Sequence, residues 1–482
     1  MIEIDGRNLA LAKIVSVADG APVSLASEAL ARMSASQDSA VATASRRPVY
    51  GRSTGVGANK TVTLAEADGA DTHGLKLLRS HAVDAGKPLD RRTVRAMMVV
   101  RLSQLAAGGS GISPVIAEAL AGMINADVIP EVREFGGIGT ADLPALAGTA
   151  LTMLGERQPL HGGAAPSLLE AWPTADALPF ISSSALTIAQ GVLAHQRLAR
   201  LLESAMTVAG LSFIAMAGNP EALSPSVAAA ADSPAVTTAA NTLRSLVAGS
   251  GTPARIQDPY CLRTLPQVFG SQLEELDALG GLLERLVVAG NENPLVHGLP
   301  AEGTNDVAHH GLFQMTNLAR RLDTVNLAIG AACATHLRRI DLLCDPDYTG
   351  QHPFLAEDGS GQSGVMMLEY VAAAAVGRIR ANAQPASLQT VVLSLGAEED
   401  ASFASLAAAQ LQSTAHAMET VTAVELVCAV RALRLQGRQA EEFGDAKVRN
   451  LLAAAFALSP DMKDRDLRSD VETATELVQQ NY

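Results

Sequence analysis

The residues best suited to chemistry lie in five short stretches. "VYGRSTGVGANK" sets Tyr50 ahead of a glycine-rich segment, and "QDPYCLRTLPQVFG" sets Tyr260 and Arg263 ahead of an apolar run. "NENPLVHG" holds Glu292 and Asn293 at an Asn-Pro turn, and "GAEEDAS" stacks Glu398, Glu399 and Asp400. The fifth, "GGIGTADLPALAG", is a glycine-rich loop that runs into an apolar helix. A phenol can move a proton, and a guanidinium can hold a carboxylate by two parallel hydrogen bonds. The loop looks built for catalysis, yet its centre, Gly139-Thr140-Ala141-Asp142, contains no Ser, Cys, His or Lys. Taken singly, each stretch has an ordinary reading: a packed tyrosine, a surface arginine, an acidic first turn favoured by the helix dipole.

Familiar motifs are otherwise missing. There is no HExxH and no Cys/His zinc spacing, so no metal is expected. "GVGANKT" lacks the spacing of a phosphate loop, and Gly137-x-Gly139 does not complete a dinucleotide fingerprint. His309-His310 reads as a polar surface or capping pair.

The elements that must position these residues are mainly helical. The chain has 482 residues, and 48% are hydrophobic but only 3% aromatic, so Ala, Leu and Val must build the core. The pattern predicts helices near "SLASEALARMS", over "GLKLLRSHAV", "RRTVRAMMVVRLSQLAAG" and 143–155, and, longer, over 184–209, 312–343 and 400–436. Ser113-Pro114 reads as a capped start for another helix. Leu273, Leu276, Leu279, Leu283 and Leu286 form an apolar stripe at spacings of three and four. Strand signals are confined to short pieces such as "KTVTL". A softer zone at 157–180 suggests an N-terminal domain over 1–180, carrying Tyr50 and the loop, and a bundle of long helices over 181–482.

Composition also limits the partners. A formal charge of −14 argues against nucleic acid and anionic membranes. The apolar runs are broken within about a dozen residues, short of the roughly 20 a membrane helix needs. Mean hydropathy is +0.18, which points to surface buried between subunits. The four cysteines form no CxxC pair, and the N-terminus carries Glu3 and Asp5 without an apolar signal core. Both features suit a cytoplasmic protein with reduced thiols.

In this order, the stretches resemble the aromatic amino acid ammonia-lyase family, histidine ammonia-lyase in particular. "LLRSHAV", "LAAGGSGI", "INADVIPEV", "LRRIDLL" and "PFLAEDGSGQSG" extend the resemblance over about residues 48–410. It implies an all-helical ammonia-lyase-like fold with a central helical bundle, and a homotetramer with composite sites built by several subunits. It also implies that the loop is where an Ala-Ser-Gly tripeptide cyclises to an electrophilic methylideneimidazolone.

This chain departs there. Where the family reads close to Gly-Ser-Val-Gly-Ala-Ser-Gly-Asp-Leu, it reads Gly136-Gly137-Ile138-Gly139-Thr140-Ala141-Asp142-Leu143, one residue shorter. Aligned from the left, Ala141 takes the serine's place. Aligned from the right, Thr140 takes it and Ala141 replaces the glycine. The degenerate loop is therefore expected to stay uncyclised, with no cofactor.

The resemblance further implies roles for the pocket. Tyr50 matches the lid tyrosine and general base, and Arg263 the carboxylate-binding arginine. Tyr260 matches a tyrosine near the prosthetic group, Glu399 a pocket glutamate and His81 a pocket-wall histidine. Asn293 sits in the Asn-Pro turn, with Glu292 where an Asp is usual. Glu398 replaces a Gln, Ser182 an Asn and Gln314 a His.

Three functions follow as expectations. The first is a ring-free enzyme running non-redox addition, elimination, cyclisation or isomerisation on a carboxylate- or carbonyl-bearing substrate that brings its own activation, in specialised metabolism. The second is a pseudoenzyme that binds a small acid or a partner. The third is an ammonia-lyase with an atypical group made from Gly139-Thr140-Ala141.

Overall fold

The computed structural model describes residues 1–64, 72–161, 168–231, 233–297 and 306–480. Part of the soft zone, 162–167, lies outside the described residues. The helices run α1 Leu11–Ala18, α2 Ser27–Ala44, α3 His73–His81, α4 Arg91–Ala106, α5 Pro114–Asn125, α6 Leu143–Met153, α7 Ala177–Ile181 and α8 Ala185–Ala215. They continue with α9 Pro225–Ala229, α10 Pro234–Leu246, α11 Tyr260–Arg263, α12 Leu265–Leu286, α13 Thr316–Leu343 and α14 Pro346–Thr349. The last are α15 Met366–Asn382, α16 Ala404–Leu435, α17 Ala446–Ala455 and α18 Arg468–Val478. The strands are β1 Ile2–Ile4, β2 Val23–Leu25, β3 Ala85–Pro88, β4 Ile129–Pro130, β5 Arg133–Phe135, β6 Pro159–His161, β7 Leu295–His297 and β8 Asp306–Ala308. They form two-stranded sheets only: β1 with β2 in parallel, and β3–β5, β4–β6 and β7–β8 antiparallel.

Two compact units recur along the chain. One comprises Met1–Gln196, Leu279–Leu322 and Ala386–Ala409; the other comprises Arg197–Ala278, Asp323–Pro385 and Gln410–Tyr482. The division falls within α8, α12, α13 and α16.

The first unit is organised on α4. Asp90 caps it, accepting from the Thr93 amide at 2.8 Å, and every residue from Thr93 to Ala106 is buried. Two of those residues are arginines, each matched with acceptors, as burial of a charge requires. Arg95 donates to the carbonyls of Val17 at 2.9 Å and Ile124 at 2.8 Å, near the C-terminal ends of α1 and α5 where helix carbonyls lack partners. Arg101 serves the candidate site. The second unit has a comparable centre. Arg339 of α13 grips Glu425 of α16 with two nitrogens, at 2.6 and 2.9 Å. Ser212 of α8 donates to the same carboxylate at 2.9 Å. Burial raises this carboxyl, but Arg339 and His336 outweigh it and hold it down at about 2.

Several sequence expectations change. The acidic triplet does not open a helix: α16 begins at Ala404, and Glu398 instead closes a turn with Leu393. Ser113 makes no side-chain cap; its amide donates to Asp176 at 3.0 Å. "KTVTL" contributes one isolated bridge, Thr54 with Thr63, and no strand. The helical run 174–215 is, by length and composition, apolar enough to cross a membrane, contrary to the sequence reading. It is a core element, since 94% of its most apolar window is buried. All four cysteines are free and buried.

Replacing Arg339 with Leu strands the Glu425 carboxylate in the core. Breaking a buried pair in this way costs about 3–5 kcal/mol. Urea unfolding should show that loss, and an unchanged midpoint would contradict the assigned role.

Candidate active site

The glycine-rich loop is held through its backbone. Ser405 Oγ donates to the Gly137 carbonyl at 2.8 Å and the Phe403 amide to that of Ile138 at 2.8 Å. The Gly139 carbonyl accepts twice, from Ser402 Oγ at 2.7 Å and the Met315 amide at 3.3 Å. Gly139 has φ +85°, and a Cβ there would lie 2.2 Å from Ser402 Oγ, so only glycine fits. Ala141 takes φ +82° although it carries a Cβ, a conformation that costs about 1–3 kcal/mol. Thr140 pairs with Gln314 in a single antiparallel bridge.

Asp142 closes the loop from inside the protein. Its amide donates to Ser183 O at 2.8 Å. Its carboxylate accepts from the Thr187 amide at 2.8 Å and Thr187 Oγ1 at 2.9 Å, in the first turn of α8. Burial pushes this carboxyl up to about 6, with the Thr187 donors opposing.

Beside the loop lies a buried polar wall. Ser182, at the end of α7, accepts from the Asn293 amide at 3.2 Å, and Asn293 Oδ1 accepts from the His310 amide at 3.0 Å. Arg101 Nη1 pairs with Glu292 at 2.7 Å, both fully buried. Arg101 Nε donates to Phe180 O at 3.0 Å, and Ser183 Oγ reaches Gln104 at 2.6 Å. Arg101 thereby ties the Asn-Pro turn to α7.

The acidic triplet separates by contact. Asp400 accepts from Gln314 Nε2 at 2.7 Å, which brings it to the loop. Glu398 acts on Tyr50. Glu399 is exposed and makes no hydrogen bond or ion pair among the described residues.

Tyr50 sits on a segment anchored at several points. Arg52 Nη2 donates to the carbonyls of Ser110 at 2.9 Å and Gly111 at 2.8 Å. The Tyr50 amide donates to His309 Nε2 at 3.1 Å. The phenol oxygen accepts from the Gly57 amide at 2.7 Å, at the start of the 3₁₀ turn Gly57–Asn59. That donor favours the phenolate, but burial and the Glu398 charge oppose it, and the net result is a phenol pushed up from its ordinary value of 10.0. The charge beside Tyr50 is a carboxylate, and the donor to its oxygen is a turn amide. At neutral pH this group holds its proton.

His81 ends α3, and its Nδ1 lies 2.9 Å from the Leu77 carbonyl oxygen of the same helix and 3.0 Å from Ser80 Oγ. In the second unit, α11 carries Tyr260 and Arg263. The guanidinium lies 4.3 Å from the Tyr260 ring centroid, and Gln257 Oε1 accepts from Nη2 at 3.1 Å. Tyr260 is 69% exposed.

Sequence reasoning missed Ser402, Ser405, Arg101 and the contact of His309 with Tyr50. An arginine inside the apolar run of α4 was a usable signal for Arg101. The serines and His309 gave none, because their partners are distant in sequence.

The family model for aromatic amino acid lyase matches residues 9–456. The chain belongs to the aromatic amino acid lyase family. It is 32% identical to a histidine ammonia-lyase of Treponema denticola, covering 99% of this chain and 96% of that one. It is 31% identical to a histidine ammonia-lyase of Streptomyces coelicolor, covering 96% and 93%. Among solved structures, ergothionase from Treponema denticola superposes with a TM-score of 0.89 at 22% identity, covering 99% of this chain and 98% of that one. Phenylalanine aminomutase of Pantoea agglomerans gives 0.90 at 24%, covering 100% and 99%. The mainly α, ammonia-lyase-like fold is thereby established, and with it membership of a lyase family.

Asp142 gives a pH test. Its folded carboxyl lies at about 6 against 3.8 unfolded. The folded state therefore holds the proton more tightly, and ionising Asp142 costs stability above about pH 6. That cost, at most about 3 kcal/mol, is relieved as pH falls from about 6 to about 4. Urea unfolding of wild type relative to Asp142→Asn should show wild type gaining over that interval; a constant difference would contradict the assignment.

Proposed function

We propose that this lyase-family protein works without a methylideneimidazolone, running non-redox addition, elimination, cyclisation or isomerisation on a carboxylate- or carbonyl-bearing molecule that is already activated. The observation that carries this reading is that the loop offers Thr140-Ala141, or in the other register Ala141-Asp142, where the family chemistry needs Ser-Gly. The residues present fit that group poorly. Cyclisation needs an amide nitrogen free to close on a neighbouring carbonyl, and Ala141 brings a Cβ into a buried, left-handed position. The loop is also one residue short, with Gly139 pressed against Ser402.

Without that electron sink, a free amino acid has only weakly acidic β-hydrogens and a poor leaving group. General acid–base catalysis returns roughly 10²–10⁴-fold, far less than the loss. The substrate must then supply the activation, as a conjugated carbonyl or an acidic C–H does. Tyr50, protonated at rest, gives its proton to the developing anion and takes one back from the product-forming intermediate. The Gly57 amide eases the phenolate that exists between the two steps. Arg263, braced by Tyr260 and Gln257, is the carboxylate anchor, contributed within composite sites of a homotetramer. His81, Ser182, Asn293, Gln314 and Glu398 line the site, and Glu399 joins it on assembly. A cytoplasmic location and a place in specialised metabolism complete the proposal.

Tyr50→Phe tests it. On a panel of α,β-unsaturated and β-keto acids, the variant should lose about 10²–10⁴-fold in kcat. The alkaline limb of wild-type activity should lie above pH 10, since Tyr50 is pushed up from 10.0. Ammonia release from histidine or phenylalanine by wild type, or unchanged turnover in Tyr50→Phe, would contradict the reading. Absence of turnover on the whole panel would favour a small-acid binding protein.

A further inference from the structure

The His309-His310 pair reads from sequence as a polar surface or capping pair, and His309 makes a specific contact. Its Nε2 accepts the Tyr50 amide proton at 3.1 Å. An imidazole nitrogen accepts only through a lone pair, so in this contact the ring is neutral with its proton on Nδ1. We infer that His309 is a positioning residue for Tyr50: its neutral ring holds the Tyr50 amide, and protonating that ring releases it. The inference rests on the reading of Tyr50 as the proton-transfer group.

The surroundings make this contact the titratable one at the Tyr50 backbone. Val49 packs in a buried cluster with Ala40, Val296 and Val307. Arg47 pairs with Asp306 of β8 and also donates to the Val307 carbonyl. On the other side, Arg52 holds the Ser110 and Gly111 carbonyls and lies 4.0 Å from Asp176. The hairpin β7–β8 and α2 thus fix the residues flanking Tyr50, while the Tyr50 amide itself is held by His309.

The charged and titratable groups around His309 are Arg47, His310 and Asp306. Burial, then Arg47 and His310, disfavour the charged ring; Asp306 favours it but is engaged by Arg47. His309 therefore stays neutral at neutral pH and takes its proton below the ordinary 6.5. Once charged, the ring is a donor on both nitrogens. It faces a second donor, the Tyr50 amide, across 3.1 Å, and the contact turns repulsive. The segment that aims the phenol loosens on that side.

Hydrogen–deuterium exchange of the Val49–Ser53 amides in the full chain tests this, with rates corrected for the intrinsic effect of pH. Wild type should be protected at about pH 7.5 and lose about tenfold or more at about pH 5. His309→Gln supplies a neutral acceptor and should stay protected at both. His309→Leu supplies none and should be unprotected at both. Asp176 also titrates near this segment, but it is kept in both variants, so a response that persists in His309→Gln is not from His309. The inference is overturned if His309→Leu is as protected as wild type, if wild type is unresponsive to acid, or if His309→Gln responds as wild type does. Tyr50→Phe retains the amide and should show the wild-type pattern, so this result stands apart from whether Tyr50 is catalytic.

Discussion

Asp142 is the constraint on which the loop and its surroundings depend. A carboxylate in the interior is tolerated only when donors surround it, and the first turn of α8 supplies them through Thr187. The same residue's amide is tied to Ser183 O. The end of the loop is therefore fixed to two elements at once. Upstream, the carbonyls of Gly137, Ile138 and Gly139 are taken by Ser405, Phe403, Ser402 and Met315. A loop held at so many points has little freedom to rearrange, and the strain at Ala141 is sustained by that over-determination.

This rigidity bears on function. Thr140 and Ala141 stand in this rigid loop, and beside it Ser182, Asn293 and Gln314 each make a side-chain hydrogen bond. Tyr50 stands apart. Its oxygen accepts from one amide, and its resting state is the protonated acid. Those properties suit transfer of a proton to a substrate that already stabilises negative charge, which is the basis of the proposed reaction.

Much of the architecture was legible in the sequence. Apolar periodicity placed α4 and α13 to within a few residues, because a helix repeats its pattern locally; α8 runs six residues past its expected end at 209, and the leucine stripe from Leu273 to Leu286 marked only the later part of α12. Errors fell where a local signal has more than one meaning. The carboxylates at 398–400 look like a first turn, but the Leu393–Glu398 turn and the serine that reaches Gly139 come before α16 starts. Ser113 has the residue type of a cap, but Asp176 takes its amide. The order in which compact units interleave, and the partners of His309, Arg101 and Ser402, depend on contacts hundreds of residues apart in some cases. One sequence carries no signal for those. The family resemblance offered Tyr50, Asn293 and Gln314 as candidates, and the structure adds what each touches.

The state of the loop decides between the proposed chemistry and that of a conventional family member. Mass spectrometry of the intact protein, followed by the peptide spanning Gly139 to Asp142, measures it directly. The account predicts the full mass of the encoded sequence, with Thr140 and Ala141 unmodified. A deficit of two water masses in that peptide would show a ring made from Gly139-Thr140-Ala141 and would contradict it.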